Sequence, residues 1–195
     1  MWDPQVLKLY AAGYRVVRCD FRGFGESPVA GRPYSDATDV CVLIDALGLE
    51  RVALIGSSHG GAVSLEVAAQ RPKMISALML LCSAIPGREP SLELQAFTQQ
   101  KTALLAANYI SGAVELSVTT WLGPEADPET RKKVRRMQRH AFEVQATAEF
   151  TSASAPVDLA QVTASCLAVS GGARSCRFPR GCSGYSGEDH WCLPL

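Results

Sequence analysis

The pentapeptide Gly56-Ser57-Ser58-His59-Gly60 constrains this chain more than any other stretch. It fits G-x-S-x-G, and it stands between an apolar run, Arg51 to Ile55, and a helical stretch, Ala62 to Gln70, that ends before Pro72. The pattern gains its meaning from that strand-to-helix context. A serine there must sit on a strained turn that pushes its hydroxyl outward, so the residues two places to either side must be small. Gly56 and Gly60 satisfy this. The helix that follows aims its free N–H groups and positive dipole end at the turn, where an oxyanion would form. Ser58 is therefore the candidate nucleophile and the backbone N–H of His59 a candidate oxyanion donor. The His59 side chain reads as a wall of the pocket, because the base of such a site usually arrives from a later loop. The bland alternative, a Gly-rich turn without chemistry, is disfavoured by the strand and helix on its two sides.

The rest of the chain builds layers around this turn. Tyr14 to Cys19 reads as a strand, followed by the turn-rich loop Asp20 to Pro28, and Ser35 to Leu47 reads as a helix with Val40, Leu43, Ile44 and Leu47 at helical spacing. Met74 to Cys82 is a further strand. Short connections between alternating strands and helices require parallel pairing with right-handed crossovers, hence an α/β fold. From Gly87 to Ala155 the alternation gives way to helices over Leu92 to Ile110, Ala113 to Leu122 and Pro128 to Ala148, broken at Gly123-Pro124 and Asp127-Pro128. It resumes with a strand over Val162 to Ser170. The expected organisation is a core over 1–86, a helical cap over 87–155, a return to the core over 156–172 and an irregular tail over 173–195.

Charge narrows the partners. Nineteen Lys and Arg balance nineteen Asp and Glu, so no global field attracts nucleic acid or an anionic membrane. The basic run from Arg131 to Arg139 shares its helix with an apolar stripe of Val134, Met137, Ala141 and Val144, which marks a solvated face rather than a nucleic-acid footprint. Met1 to Tyr10 lacks the pattern of a secretion signal and no apolar run has the length of a membrane span, so the expected location is the cytoplasm. Cys19, Cys41, Cys82 and Cys166 fall in expected strands or helices, as small buried hydrophobes do. The oligomeric state is left open.

These stretches together resemble the α/β-hydrolase superfamily, in particular its capped esterase and lactonase-like members. The resemblance is carried by Tyr14-Arg-Val-Val-Arg-Cys-Asp20, by the loop Asp20-Phe-Arg-Gly-Phe-Gly-Glu-Ser27, and by the strand and elbow Val52-Ala-Leu-Ile-Gly-Ser-Ser-His-Gly-Gly61. It implies a three-layer αβα fold with a mostly parallel sheet and an inserted helical cap, and a reaction in which Ser58 attacks an ester, lactone or related small-molecule carbonyl substrate without a cofactor or metal. Asp20, Arg22 and Gly23 take architectural roles in that family. The cap residues Leu104, Tyr109, Trp121 and Phe142 are open to two readings, pocket lining or packing.

The resemblance also marks departures. It places Met1 near the start of the first helix, so an incomplete fold with impaired catalysis is expected, without the earlier strands and the loop that supplies a second oxyanion N–H. After the strand ending at Ser170, where relatives carry Gly-x-x-Asp, this chain has Gly171-Gly172-Ala173-Arg174; the other position for an acid, after Cys82, has Ser83-Ala84-Ile85. Gly172 to Gly181, re-read one nucleotide later, can encode Ala-His-Asp-Leu-Ala-Asp-Phe-Arg-Glu-Val, which restores the acid, so the tail is expected to be out of frame. His190, beside Asp189, is the one late histidine and a candidate general base, weakened by the lack of any element to aim it. Cys176, Cys182, His190 and Cys192 lack the paired spacing of a zinc site. The alternative to an enzyme is a non-catalytic binding module, or an inactive fragment, of the same fold.

Overall fold

The computed structural model describes residues 1–169 and the backbone of residues 191–193. Its first helix, α1 (Asp3–Ala11), carries Pro4 in its first turn and buries no residue. It is tethered by Asp3, which pairs with Arg18 and accepts a hydrogen bond from Lys133 Nζ at 2.9 Å. The expected strand over Tyr14 to Cys19 does not form. The run has β-branched residues, but no neighbouring strand among the described residues gives it a ladder, and extended backbone becomes a strand only through such pairing. Cys19 is accordingly exposed rather than buried, whereas Cys41 is buried and Cys82 and Cys166 are half-buried.

Helix α2 (Asp36–Ala46) begins where the Ser35 side chain caps the Thr38 N–H, and it buries Ala37, Cys41 and Ile44. Strand β1 (Val52–Ser57), helix α3 (His59–Gln70) and strand β2 (Ile75–Leu81) follow. The chain then forms α4 (Leu92–Ala106), α5 (Ile110–Trp121) and α6 (Pro128–Gln145), and returns through a 3-10 turn at Leu159–Gln161 to β3 (Ser165–Val169). The sheet order is β1-β2-β3-β4, where β4 (Trp191–Leu193) lies antiparallel on β3 and the other pairs are parallel. That last strand lies in the stretch expected to be irregular. Its pairing comes from the N–H and C=O groups along the edge of β3, which a short segment can satisfy without any periodicity of its own.

Alternation along the strands sorts the two sheet faces. Leu54, Leu78, Leu80, Cys166 and Ala168 point to one face, where Val63, Val67 and Ala68 of α3 and Cys41 and Ile44 of α2 close the core. On the opposite face Ile55, Leu167 and Val169 remain 39%, 39% and 44% exposed. Helices α4 to α6 hold a separate apolar cluster of Ala113, Val114, Val118 and Phe142, with Leu104, Leu105 and Val134 against it. Leu104 and Phe142 are thus packing residues of the helical segment. Tyr109 and Trp121 are exposed, the latter set edge-on to Phe97 at 4.9 Å between ring centroids.

The basic helix α6 spends its charges locally. Arg135 forms a two-pronged pair with Glu115 at 2.6 and 2.9 Å, Arg131 donates to the carbonyls of Gly123 and Ala126, and Lys133 reaches Asp3. Its apolar side buries Ala141 and Phe142 and leaves Met137 40% exposed, so the stripe turns slightly from the one read in the sequence.

Candidate active site

β1 ends at Ser57 and α3 begins at His59, leaving Ser58 alone to turn the chain. It does so at φ 52°, ψ −118°, a left-handed conformation that side chains other than glycine's rarely adopt. Surrounding bonds hold it there. The Ser58 N–H donates to the Leu81 carbonyl at 3.0 Å, and its own carbonyl accepts from Gly61, Ala62 and Ala84 at 3.0, 3.3 and 3.1 Å. The turn is thereby fastened to the carboxyl end of β2, and the Cys82 N–H, donating to Val169 at 2.8 Å, links that end to β3. Crevices at the carboxyl ends of parallel strands are where α/β sheets place their ligands. The Ser58 side chain itself makes no hydrogen bond among the described residues and is exposed.

The glycines divide differently from the motif's symmetry. A Cβ on Gly56 would lie 2.3 Å from the Gly60 carbonyl oxygen, so strand and helix approach too closely there for any side chain. Gly60 meets nothing within 4 Å among the described residues, contrary to the expectation that both flanks need to be small. The second close approach belongs instead to Gly61, whose Cβ would fall 2.2 Å from the Ser83 hydroxyl. The strand-to-helix angle is therefore set by Gly56 and Gly61.

His59 carries its backbone N–H in the first turn of α3, where helical N–H groups have no partner within the helix. Its ring is neither a bare wall nor idle. Nε2 lies 2.9 Å from Asp36 Oδ2, and the edge of the ring meets Phe21 at 5.6 Å between centroids. The Asp36 side chain is 5% exposed, and its second oxygen, Oδ1, has no hydrogen-bond partner among the described residues. Asp36 also donates its N–H to the Ser152 hydroxyl at 2.9 Å. The hydrogen bond to this carboxylate raises the His59 pKa above the ordinary 6.5, and burial opposes that shift.

A stability consequence follows from the direction of that shift. A group bound more tightly to its proton when folded stabilises the fold fully below its unfolded pKa, and the gain disappears as pH rises through the folded pKa. The melting temperature of the wild type, measured against that of a His59→Gln variant, is therefore expected to be higher near pH 6 and to lose this margin as the pH is raised through the His59 titration. A margin that stays constant from pH 6 to 9 would contradict the charged pairing.

Asp36 carries no signal in the sequence. An acid in the first turn of a helix reads as a complement to the helix dipole, and only the packing of α2 against α3 brings it to His59. Glu66 is the other buried acid that spacing did not reveal. It is 4% exposed on α3, and it accepts hydrogen bonds from the Ser154 hydroxyl and the Ala155 N–H.

The loop residues expected to be architectural are so. Arg22 grips Asp39 of α2 at 2.6 and 2.9 Å and lies over the Tyr34 ring, Gly23 turns at φ +77°, and Asp20 packs where a Cβ on Gly25 would be. His140 spans from α6 to the Gly25 carbonyl at 2.8 Å, which makes its Nε2 the donor. Ser83, at the end of β2, supplies no carboxylate, its hydroxyl donating to the Ala84 carbonyl. His190, Gly171 to Arg174, Cys176 and Cys182 lie outside the described residues. Among the described residues no cluster of His, Cys, Asp and Glu could hold a metal, and no helix is long and apolar enough to cross a membrane. Two cavities, of about 280 Å³ beside Val162 and about 370 Å³ along α6, do not include Ser58 in their lining.

Comparison with known proteins places this geometry. The model of the alpha/beta hydrolase family matches residues 1–190. The chain is 40% identical over 74 residues to a 2-hydroxy-6-oxo-6-phenylhexa-2,4-dienoate hydrolase of Comamonas testosteroni, a match covering 36% of this chain and 26% of the relative. It is 32% identical over 97 residues to epoxide hydrolase 2 of Siraitia grosvenorii, covering 47% and 31%. Matches to curated relatives thus span about a third of their length. Among solved structures, a hydrolase from Pseudomonas aeruginosa PA01 superposes with a TM-score of 0.66 at 27% identity over 87% of this chain and 66% of that one. The enol-lactonase from Burkholderia xenovorans LB400 gives 0.65 at 23% identity over 87% and 66%, a likeness of fold. A family match over nearly the whole chain, together with a serine held left-handed between a parallel strand and a helix, leads to one conclusion: the chain belongs to the alpha/beta hydrolase family.

Proposed function

We propose that this chain is a serine hydrolase acting on an ester, lactone or related carbonyl substrate. Ser58 attacks the carbonyl carbon through its Oγ as its proton passes to a general base, and the backbone N–H of His59 donates to the resulting oxyanion. The C–O bond to the alcohol oxygen breaks as that oxygen takes up the proton, and water then cleaves the acyl–Oγ bond to give the carboxylic acid. The single observation that carries this reading is the conformation of Ser58, because a left-handed serine is costly and its neighbours hold it in place without using its hydroxyl. The relatives' names span a dienoate hydrolase, an epoxide hydrolase and an enol-lactonase, so resemblance supports hydrolysis in general and the serine supports the carbonyl substrate. Helices α4 to α6 serve as the cap. His190, which lies outside the described residues, is the candidate general base in this sequence, and the chain's activity is expected to be impaired where no imidazole reaches Ser58.

A second reading has its own observation. No imidazole is hydrogen-bonded to the Ser58 hydroxyl among the described residues, which is the arrangement a non-catalytic binding module of this fold would have. A fluorophosphonate probe separates the two. The full chain is expected to be labelled on Ser58, as read by mass spectrometry of the modified peptide, and Ser58→Ala to remain unlabelled. A folded chain that the probe leaves unmodified would favour the binding module.

A further inference from the structure

Asp36 and His59 lie outside the usual Ser, acid, His order, yet they are the one acid–imidazole pair that the described residues bring to the elbow. Three features set this pair apart from a surface ion pair. The carboxylate is almost wholly buried, it comes from a different element, and the imidazole belongs to the same residue whose N–H faces the place where negative charge would develop. We propose that Asp36 is a positioning residue which, through the His59 ring, fixes the oxyanion-donating N–H and keeps a positive charge beside it. This rests on the serine-hydrolase reading above.

The geometry supplies the mechanism. The His59 side chain is 58% exposed, and left to itself an exposed imidazole at a helix start would move among rotamers; here Nε2 is held at 2.9 Å by Asp36 Oδ2 and the ring edge by Phe21. Asp36 is in turn held by the Ser152 hydroxyl on its N–H, so the restraint runs from the core outward to the peptide carrying the donor. When His59 is protonated the pair is neutral, with its positive end toward the elbow. When His59 loses its proton the buried carboxylate is left as a net negative charge that opposes the oxyanion. Glu66, further along α3, also favours the protonated ring, and on the other side Asp36 is felt by Arg22, Tyr34 and Cys19. The hydrogen bond to Asp36 raises the affinity of His59 for its proton above the ordinary value and so favours the neutral pair.

The test is the second-order rate of fluorophosphonate labelling of Ser58 from pH 5.5 to 9, with the His59 titration followed by NMR in the same chains. The wild type is expected to slow by about tenfold as His59 deprotonates, the effect of one unbalanced charge close to the reacting atoms. His59→Gln keeps the backbone N–H and removes the titration, so its rate should stay near the low plateau without a step at that pH. Asp36→Asn should lower the midpoint of the His59 titration toward the ordinary value, and the slowing should move with it to the lower pH. A wild-type rate without a falling limb at the His59 midpoint, or a limb that survives in His59→Gln, would overturn the proposal. Where Asp36→Asn fails to fold, His59→Gln, altered only at an exposed side chain, carries the test. Complete absence of labelling at every pH would overturn the hydrolase reading on which the proposal rests, whereas labelling without the pH step overturns the proposal alone.

Discussion

Replacing Ser58 by glycine is expected to abolish hydrolysis and at the same time to raise the melting temperature. Activity toward a simple ester such as p-nitrophenyl acetate should fall to the uncatalysed background, because among the described residues no other nucleophile stands on the elbow. Stability should move the opposite way. At φ 52°, ψ −118° the serine stores strain, on the order of 1–3 kcal/mol for such a conformation, which glycine does not incur. Glycine returns part of that gain, about 0.5–1 kcal/mol, through the greater freedom of the unfolded chain. The difference amounts to about 1 kcal/mol, or roughly 2–4 °C in a chain of this size. Ser58→Ala should lose the same activity without the thermal gain, since alanine retains the Cβ. Differential scanning fluorimetry beside an esterase assay reads both quantities, and a Ser58→Gly chain less stable than wild type would show that the turn is not strained.

The second large effect is expected at Gly56, and its sign depends on which glycine of the motif is changed. Gly56→Ala drives a methyl group to 2.3 Å from the Gly60 carbonyl, where the obstacle is backbone. Neither partner can withdraw without opening the angle between β1 and α3. The expected cost is about 3 kcal/mol or more, within the range of severe overpacking, together with loss of probe labelling. Gly60→Ala meets open space in the first turn of α3, where alanine is favoured over glycine by about 0.5–1 kcal/mol, and should leave stability unchanged or slightly improved. Chemical denaturation of the two variants checks the contrast. Equal destabilisation would mean that the motif's symmetry, rather than the local approach of backbones, governs the turn.

These two glycines show how far the sequence could be read. The strand, turn and helix around Ser58 were legible because periodicity and a tight Gly-rich turn agree, and the observed β1, α3 and β2 fall within a few residues of the expected runs. The need for a small residue at Gly60 was not legible correctly, since the motif's spacing does not say which backbone comes close to which. Tyr14 to Cys19 misled for a related reason: β-branched composition reports fitness for a sheet, while a strand also requires a neighbour. Asp36 and Glu66 were hidden altogether. Each sits on a helix as an ordinary acid, and its importance comes from what a distant segment brings to it.

That distant segment also has a mechanical meaning. Residues 152–155, which follow α6, are fastened to Tyr34 by the Ala153 N–H at 2.9 Å, to Asp36 by the Ser152 hydroxyl and to Glu66 by Ser154 and Ala155. The outgoing side, at Gly87 with φ +75°, has open space around its α-carbon. Helices α4 to α6 are thus fastened at several points, by Lys133 to Asp3, by His140 and Gln145 to the carbonyls of Gly25 and Gly23, and through residues 152–155 to α2 and α3. The return from the helical segment is stitched to the same two helices that carry Asp36 and His59, so any change in residues 152–155 is passed directly to the footing of the elbow.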